Sequence, residues 1–164
     1  KTLKAKFTQT AYDGSTTTGM FYLSRPGRLR FEYDAPIKDF IVADGVFIYY
    51  YDAEMKQQSN TTIGNSLADF LLRKDISLSQ DITVTDTKTG AGLLQITLAM
   101  TEDPGAGSLT LGFETDPMRL KKWRVTDSQG LITEVELSDI ETGIDLKRRL
   151  FYYVDPEHGK PQYN

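Results

Sequence analysis

Arg25 is the side chain in this sequence best placed to do something specific. It follows Leu23 by two residues and Phe21 by four, so a strand's period of two carries its guanidinium over the same apolar side. A guanidinium held there needs hydrogen-bond acceptors, and the open carbonyls of a helix terminus are natural ones. That chemistry is hydrogen bonding, not a reaction. The plainer alternative is a surface arginine beside the Pro26-Gly27 turn.

Groups for catalysis or metal binding are sparse. His158 is the only histidine and lies in a polar tail, where it reads as solvated. The 23 acidic residues are scattered over strand edges and turns, with no HExxH helix, paired metal ligands or calcium loop. Asp44-Gly45 reads as a turn. Gly64-Asn65-Ser66 lacks the frame of a nucleophile elbow, and Gly90-Ala91-Gly92 lacks the Lys-Ser/Thr that completes a phosphate loop. With no cysteine there is no disulfide, thiolate site or lipid-anchoring thiol. No enzymatic activity and no cofactor is expected.

Aromatic side chains on strands are the more prominent feature: Phe21, Phe31, Tyr33, Phe47, Tyr49 and Trp123 among them. They either fill a core or line a cavity for an apolar ligand. Both uses have the same period along a strand, so spacing leaves the two open.

The elements that must position these residues are mostly strands at short, regular spacing. Leu3–Thr10, Gly19–Ser24 and Leu29–Tyr33 read as the first three, with Arg25-Pro26-Gly27 breaking the second from the third. Phe40–Ala43 and Val46–Tyr51 form a hairpin, for which Asp44-Gly45 predicts a type I′ turn. Thr61–Lys74 differs in kind: Ile63, Leu67, Phe70 and Leu71 recur at helical spacing. Strands resume at Ile82–Thr85, Leu93–Met100 and Ser108–Glu114. A second hairpin joins Leu120–Thr126 to Leu131–Leu137, and Lys147–Val154 is the last strand before a loose tail. So many strands beside one helix suggest a sheet that curls and a helix that covers part of its concave face.

The chain has 164 residues and reads as one domain, 1–164. Its net charge of −4 argues against a nucleic-acid surface and against general attraction to anionic lipid. No apolar run approaches the ~18 residues that span a bilayer. Leu3, Ala5 and Phe7 alternate like a strand already in progress, so the natural start, with any signal peptide, is expected upstream.

Several blocks resemble the LolA family of periplasmic lipoprotein carriers. They are Phe7-Thr8-Gln9, the run Arg25-Pro26-Gly27-Arg28-Leu29-Arg30-Phe31-Glu32-Tyr33, and Val42-Ala43-Asp44-Gly45 with the aromatic strand after it. Asp52, the leucine-rich Leu67–Leu72, Asp127–Gly130 and Leu150-Phe151 add support. The resemblance implies a mainly β fold: an incomplete, half-open, curved antiparallel β-barrel with a helical lid over an apolar cavity. It implies a periplasmic, monomeric carrier that shields the acyl chains of triacylated lipoproteins. The donor would be an inner-membrane lipoprotein-releasing ABC transporter, and the acceptor an outer-membrane receptor or the outer membrane itself. Arg25 would tie strand to lid. Phe21, Leu23, Leu29, Phe31, Tyr33, Phe47, Tyr49 and Trp123 would meet ligand, with Leu67, Phe70 and Leu71 in the lid. Relatives carry an amphipathic helix before the Phe-x-Gln strand, whereas six residues precede Phe7 here, so that helix is expected to be missing. The alternative is a periplasmic lipid- or lipoprotein-sensing module on the same half-barrel.

Overall fold

Alternating apolar and polar residues, punctuated by Gly and Asp turns, leave this chain little choice but antiparallel strands. The computed structural model describes residues 2–63, Leu72, residues 82–157 and residues 161–162. The strands are β1 (Thr2–Thr10), β2 (Thr16–Ser24), β3 (Arg28–Tyr33), β4 (Phe40–Asp44), β5 (Phe47–Asp52) and β6 (Gln57–Thr62). There follow β7 (Ile82–Gly90), β8 (Leu93–Met100), β9 (Gly107–Thr115), β10 (Met118–Asp127), β11 (Ile132–Thr142), β12 (Tyr153–Val154) and β13 (Pro161–Gln162). Eleven of them form one sheet in the order β6-β5-β4-β3-β2-β1-β11-β10-β9-β8-β7, while β12 and β13 pair separately. The fold is mainly β, and the sheet is open: its two terminal strands, β6 and β7, are also its most polar.

Several boundaries differ from the sequence reading. Thr61 and Thr62 belong to β6, paired with Ile48 and Phe47, so a helix does not begin at Thr61. The helical lid is not shown among the described residues; Leu67, Phe70 and Leu71 lie outside them, as does His158. Only Gly45 in the β4–β5 turn has a positive φ, of 107°, so the turn is not type I′. Asp44 stays extended instead, and its Oδ1 accepts the N–H groups of Val46 and Phe47, each at 2.9 Å. Lys147–Val154 is not one strand: Arg148–Phe151 is a 3₁₀ turn that buries Phe151 before β12 begins.

The chain divides into two compact units, the first comprising Lys1–Lys6, Thr18–Ile76 and Asp139–Asn164, the second Phe7–Thr17 and Ser77–Ser138. In the first, antiparallel partners share a face, so register sorts the side chains. Phe21 pairs with Phe31, Leu23 with Leu29, Phe31 with Ile41, and Leu29 with Ala43. These make one apolar face. On the other, Phe40 pairs with Tyr51 and Val42 with Tyr49. That second face is closed by the C-terminal segment: Tyr153 stacks on Tyr49 with ring centroids 5.0 Å apart and tilts against Phe40 at 5.7 Å. Arg30 clamps the segment down. Its Nη1 donates to the Leu150 carbonyl at 3.2 Å, its Nε to Glu32 at 2.6 Å, and its guanidinium lies 5.2 Å from the Phe40 ring centre.

In the second unit Trp123 pairs with Val135 on one side and Leu111 on the other, and Leu98 with Leu109. All five are buried, while Lys122, Arg124 and Glu134 form a half-exposed ion cluster on the same strands.

Candidate functional site: a covered apolar face and its turn

Leu23 is the last core residue of β2, and the chain then reverses through Arg25-Pro26-Gly27 to bring Leu29 back beside it. The reversal needs Gly27, whose φ of +80° is left-handed. It needs glycine for a second reason. A β-carbon at Gly27 would stand 2.9 Å from the Cα of Gly45, in the neighbouring β4–β5 turn. The Arg-Pro-Gly and Ala-Asp-Gly blocks, separate in sequence, are thus one backbone contact.

Gly27 also reaches beyond the sheet. Its N–H donates to the carbonyl of Leu72 at 2.8 Å. Leu72 is buried, and so is Ile63, whose N–H is bonded to Val46 in the same region of chain. The turn therefore holds Leu72, midway along the stretch of chain between β6 and β7.

The apolar face beside this turn is closed to solvent. Phe21 and Leu23 are at most 1% exposed, Leu29 4% and Phe31 9%, with the Phe21 and Phe31 ring centres 4.8 Å apart. Such a face has nothing for catalysis: no titratable group among Phe21, Leu23, Leu29, Phe31, Ile41 and Ala43. Arg25 is half-buried at its rim, and burial lowers the guanidinium's proton affinity from the usual arginine value.

A family profile described as outer membrane lipoprotein carrier protein LolA matches residues 1–154. The chain belongs to the LolA family. Among its LolA-family relatives, an outer-membrane lipoprotein carrier protein of Methylococcus capsulatus is 30% identical, over 95% of this chain and 78% of its own. That of Dechloromonas aromatica is 29% identical over the same shares. Two solved structures show the fold alone. An uncharacterized conserved protein of Thermus thermophilus has a TM-score of 0.56 at 10% identity, covering 98% of this chain and 88% of that one. A DUF1329 family protein of Desulfovibrio piger has a TM-score of 0.51 at 11% identity, covering 92% and 89%.

The candidates read from this LolA-family sequence do not all fall together. Phe21, Leu23, Leu29, Phe31 and Tyr33 share one face, with Tyr33 half-buried opposite Gly19. Phe47 and Tyr49 take the other, beneath the C-terminal segment, where burial and nearby Asp44 raise the Tyr49 phenol above the ordinary tyrosine value. Trp123 is a core residue of the second unit. Sequence reasoning missed Ile41 and Ala43, which complete the face, and Leu72, the acceptor of the Gly27 bond. The signal for Leu72 was its place at the end of the leucine-rich block; nothing local distinguished its carbonyl.

Proposed function

We propose that this chain is a periplasmic carrier that shields the acyl chains of lipoproteins on the face formed by Phe21, Leu23, Leu29 and Phe31. Family membership supports the cargo class, since the matching relatives bear that name. The observation that carries the mechanism is the Gly27–Leu72 hydrogen bond beside a fully covered apolar face. Three acyl chains expose ~45 methylenes, and at ~0.8 kcal/mol each their shielding is worth tens of kcal/mol. A soluble carrier must provide that cover and still let go. A segment that closes over the empty face competes with cargo and lowers net affinity by whatever its own closure is worth.

In this reading the Arg25–Gly27 turn is the latch, made of the Arg25 guanidinium and the Gly27 N–H. Cargo displaces the segment ending at Leu72, to which Leu67, Phe70 and Leu71 contribute by sequence spacing. Tyr33 extends the acyl-binding face, and the whole chain acts as one carrier domain. Triacylated lipoproteins arrive from an inner-membrane ABC transporter and leave to an outer-membrane receptor or to the membrane itself.

The test is recovery of tagged protein from periplasm, with mass spectrometry of what copurifies. Triacylated lipoproteins on the wild type, enriched on Arg25→Leu, are expected. Protein that emerges empty in both forms sinks the reading.

A further inference from the structure

The chain is acidic overall, yet one surface of its first unit is not. Lys147, Arg148 and Arg149 are consecutive and exposed, at the start of the 3₁₀ turn that packs on β3 and β4. None of the three has an ion pair among the described residues. Arg30 of β3, itself paired with Glu32, holds the turn through the Leu150 carbonyl, and Arg28 lies on the same face of that strand without an ion pair among the described residues. Of the acidic residues about the segment, Glu32 is taken by Arg30, Asp44 by the two backbone N–H groups of its own turn, Asp39 by the Tyr50 hydroxyl and the Ala53 N–H, and Glu157 by the Tyr51 hydroxyl. Asp145 lies two residues before Lys147, and Asp155 follows β12.

We infer that this patch docks the protein on an anionic phospholipid surface. Three consecutive exposed cations with no ion pair among the described residues would repel one another, and an anion from outside the chain relieves that repulsion. The shape decides what kind of anion. A specific protein interface is usually anchored by exposed aromatic side chains in a shaped pocket. Here Phe151 and Tyr153 are buried and Tyr152 is half-buried, while the residues that open the turn, Lys147, Arg148 and Arg149, are exposed, long and flexible. Such a surface reads charge density and not shape, which suits a lipid headgroup layer. The net charge of −4 makes this a matter of orientation: the rest of the molecule is repelled, so only this face approaches. The choice of a membrane as partner rests on the carrier reading, but adsorption of cargo-free protein needs no acyl binding and is measured separately.

The experiment is co-sedimentation of the purified chain with vesicles of phosphatidylcholine, alone or mixed with phosphatidylglycerol. Each basic residue near an anionic surface is worth a gain of about five-fold. Binding to the mixed vesicles only is expected, lost as salt rises from 0.1 M to 1 M and the Debye length falls from about 10 Å to about 3 Å. Arg148→Glu with Arg149→Glu should lose it by at least about 25-fold, while Lys88→Glu on β7 should keep it. Thermal unfolding of both variants checks that each is folded, and Arg148→Gln with Arg149→Gln serves if the reversal is not. Equal binding to both vesicles, binding unchanged by the substitutions, or none at all overturns the inference. An acidic protein as the true partner would show as the last of these.

Discussion

Gly27 and Gly45 touch backbone to backbone: no β-carbon fits at Gly27, because it would stand 2.9 Å from the Gly45 Cα. Two turns that are far apart in sequence are thereby fixed against one another, and the Gly27 N–H is aimed at Leu72.

Gly27→Ala should therefore cost more than its dihedral angle explains. Gly14 has nearly the same φ, +84°, but nothing within 4 Å of its would-be β-carbon. Gly14→Ala is expected to lose about 1 kcal/mol of stability from left-handed backbone alone. Gly27→Ala should lose about 2–3 kcal/mol, since the turn must also part from Gly45. Denaturant unfolding of both variants measures the difference, and equal losses would show that the glycine contact carries no weight.

Arg30 holds the C-terminal segment through the Leu150 carbonyl, and its guanidinium is itself fixed by Glu32 and the Phe40 ring. Arg30→Met keeps the apolar stem and removes the hydrogen bonds and the charge. A loss of about 1–2 kcal/mol is expected, with faster amide exchange at Tyr152 and Tyr153. Unchanged exchange there would assign the clamp to aromatic packing alone.

Tyr49 and Tyr153 stack, yet their substitutions should differ. The Tyr49 hydroxyl is buried with no hydrogen-bond partner among the described residues. Tyr49→Phe removes a desolvated group and should be neutral or stabilising by up to about 1 kcal/mol. Tyr153→Ala opens a cavity beneath the segment and should cost about 3–5 kcal/mol. Calorimetric unfolding separates the two.

Burial pushes the Tyr153 phenol from 10.0 up to about 12, aided by Asp155 and Tyr51, and raises Tyr49, Tyr50 and Tyr51 also. A raised folded-state value means that the native form holds its proton where the unfolded chain has lost it. Stability from these groups is thus full below about pH 10 and is lost as pH climbs towards 12. Urea midpoints between pH 8 and 12 should be flat and then fall, and Tyr153→Phe should flatten the descent.

The strands with clear alternation were legible in the sequence. β1, β3 and the β10–β11 hairpin stand where Leu3–Phe7, Leu29–Tyr33 and the Asp127–Gly130 turn place them. β6 was not, because Gln57–Thr62 has no apolar residue; it is a strand only because β5 offers it a ladder. The polar end of β7 escaped for the same reason. The site was half legible. Period two put Phe21 with Leu23 and Leu29 with Phe31, and the β2–β3 register brings the two pairs onto one side; but β4 is apolar from Phe40 to Ala43, with both Val42 and Ala43 buried. Which face of β5 continued theirs therefore had no local signal, and register with β4 assigns Phe47 and Tyr49 to the other.

The hold on Leu72 joins main chain to main chain, which has an evolutionary consequence. Every amino acid at position 72 supplies the same carbonyl, so drift there cannot erase the acceptor. On the proposed carrier reading, residues that meet cargo are free to diversify with the fats they must fit, while the constraint is concentrated on one glycine and the turn that presents it.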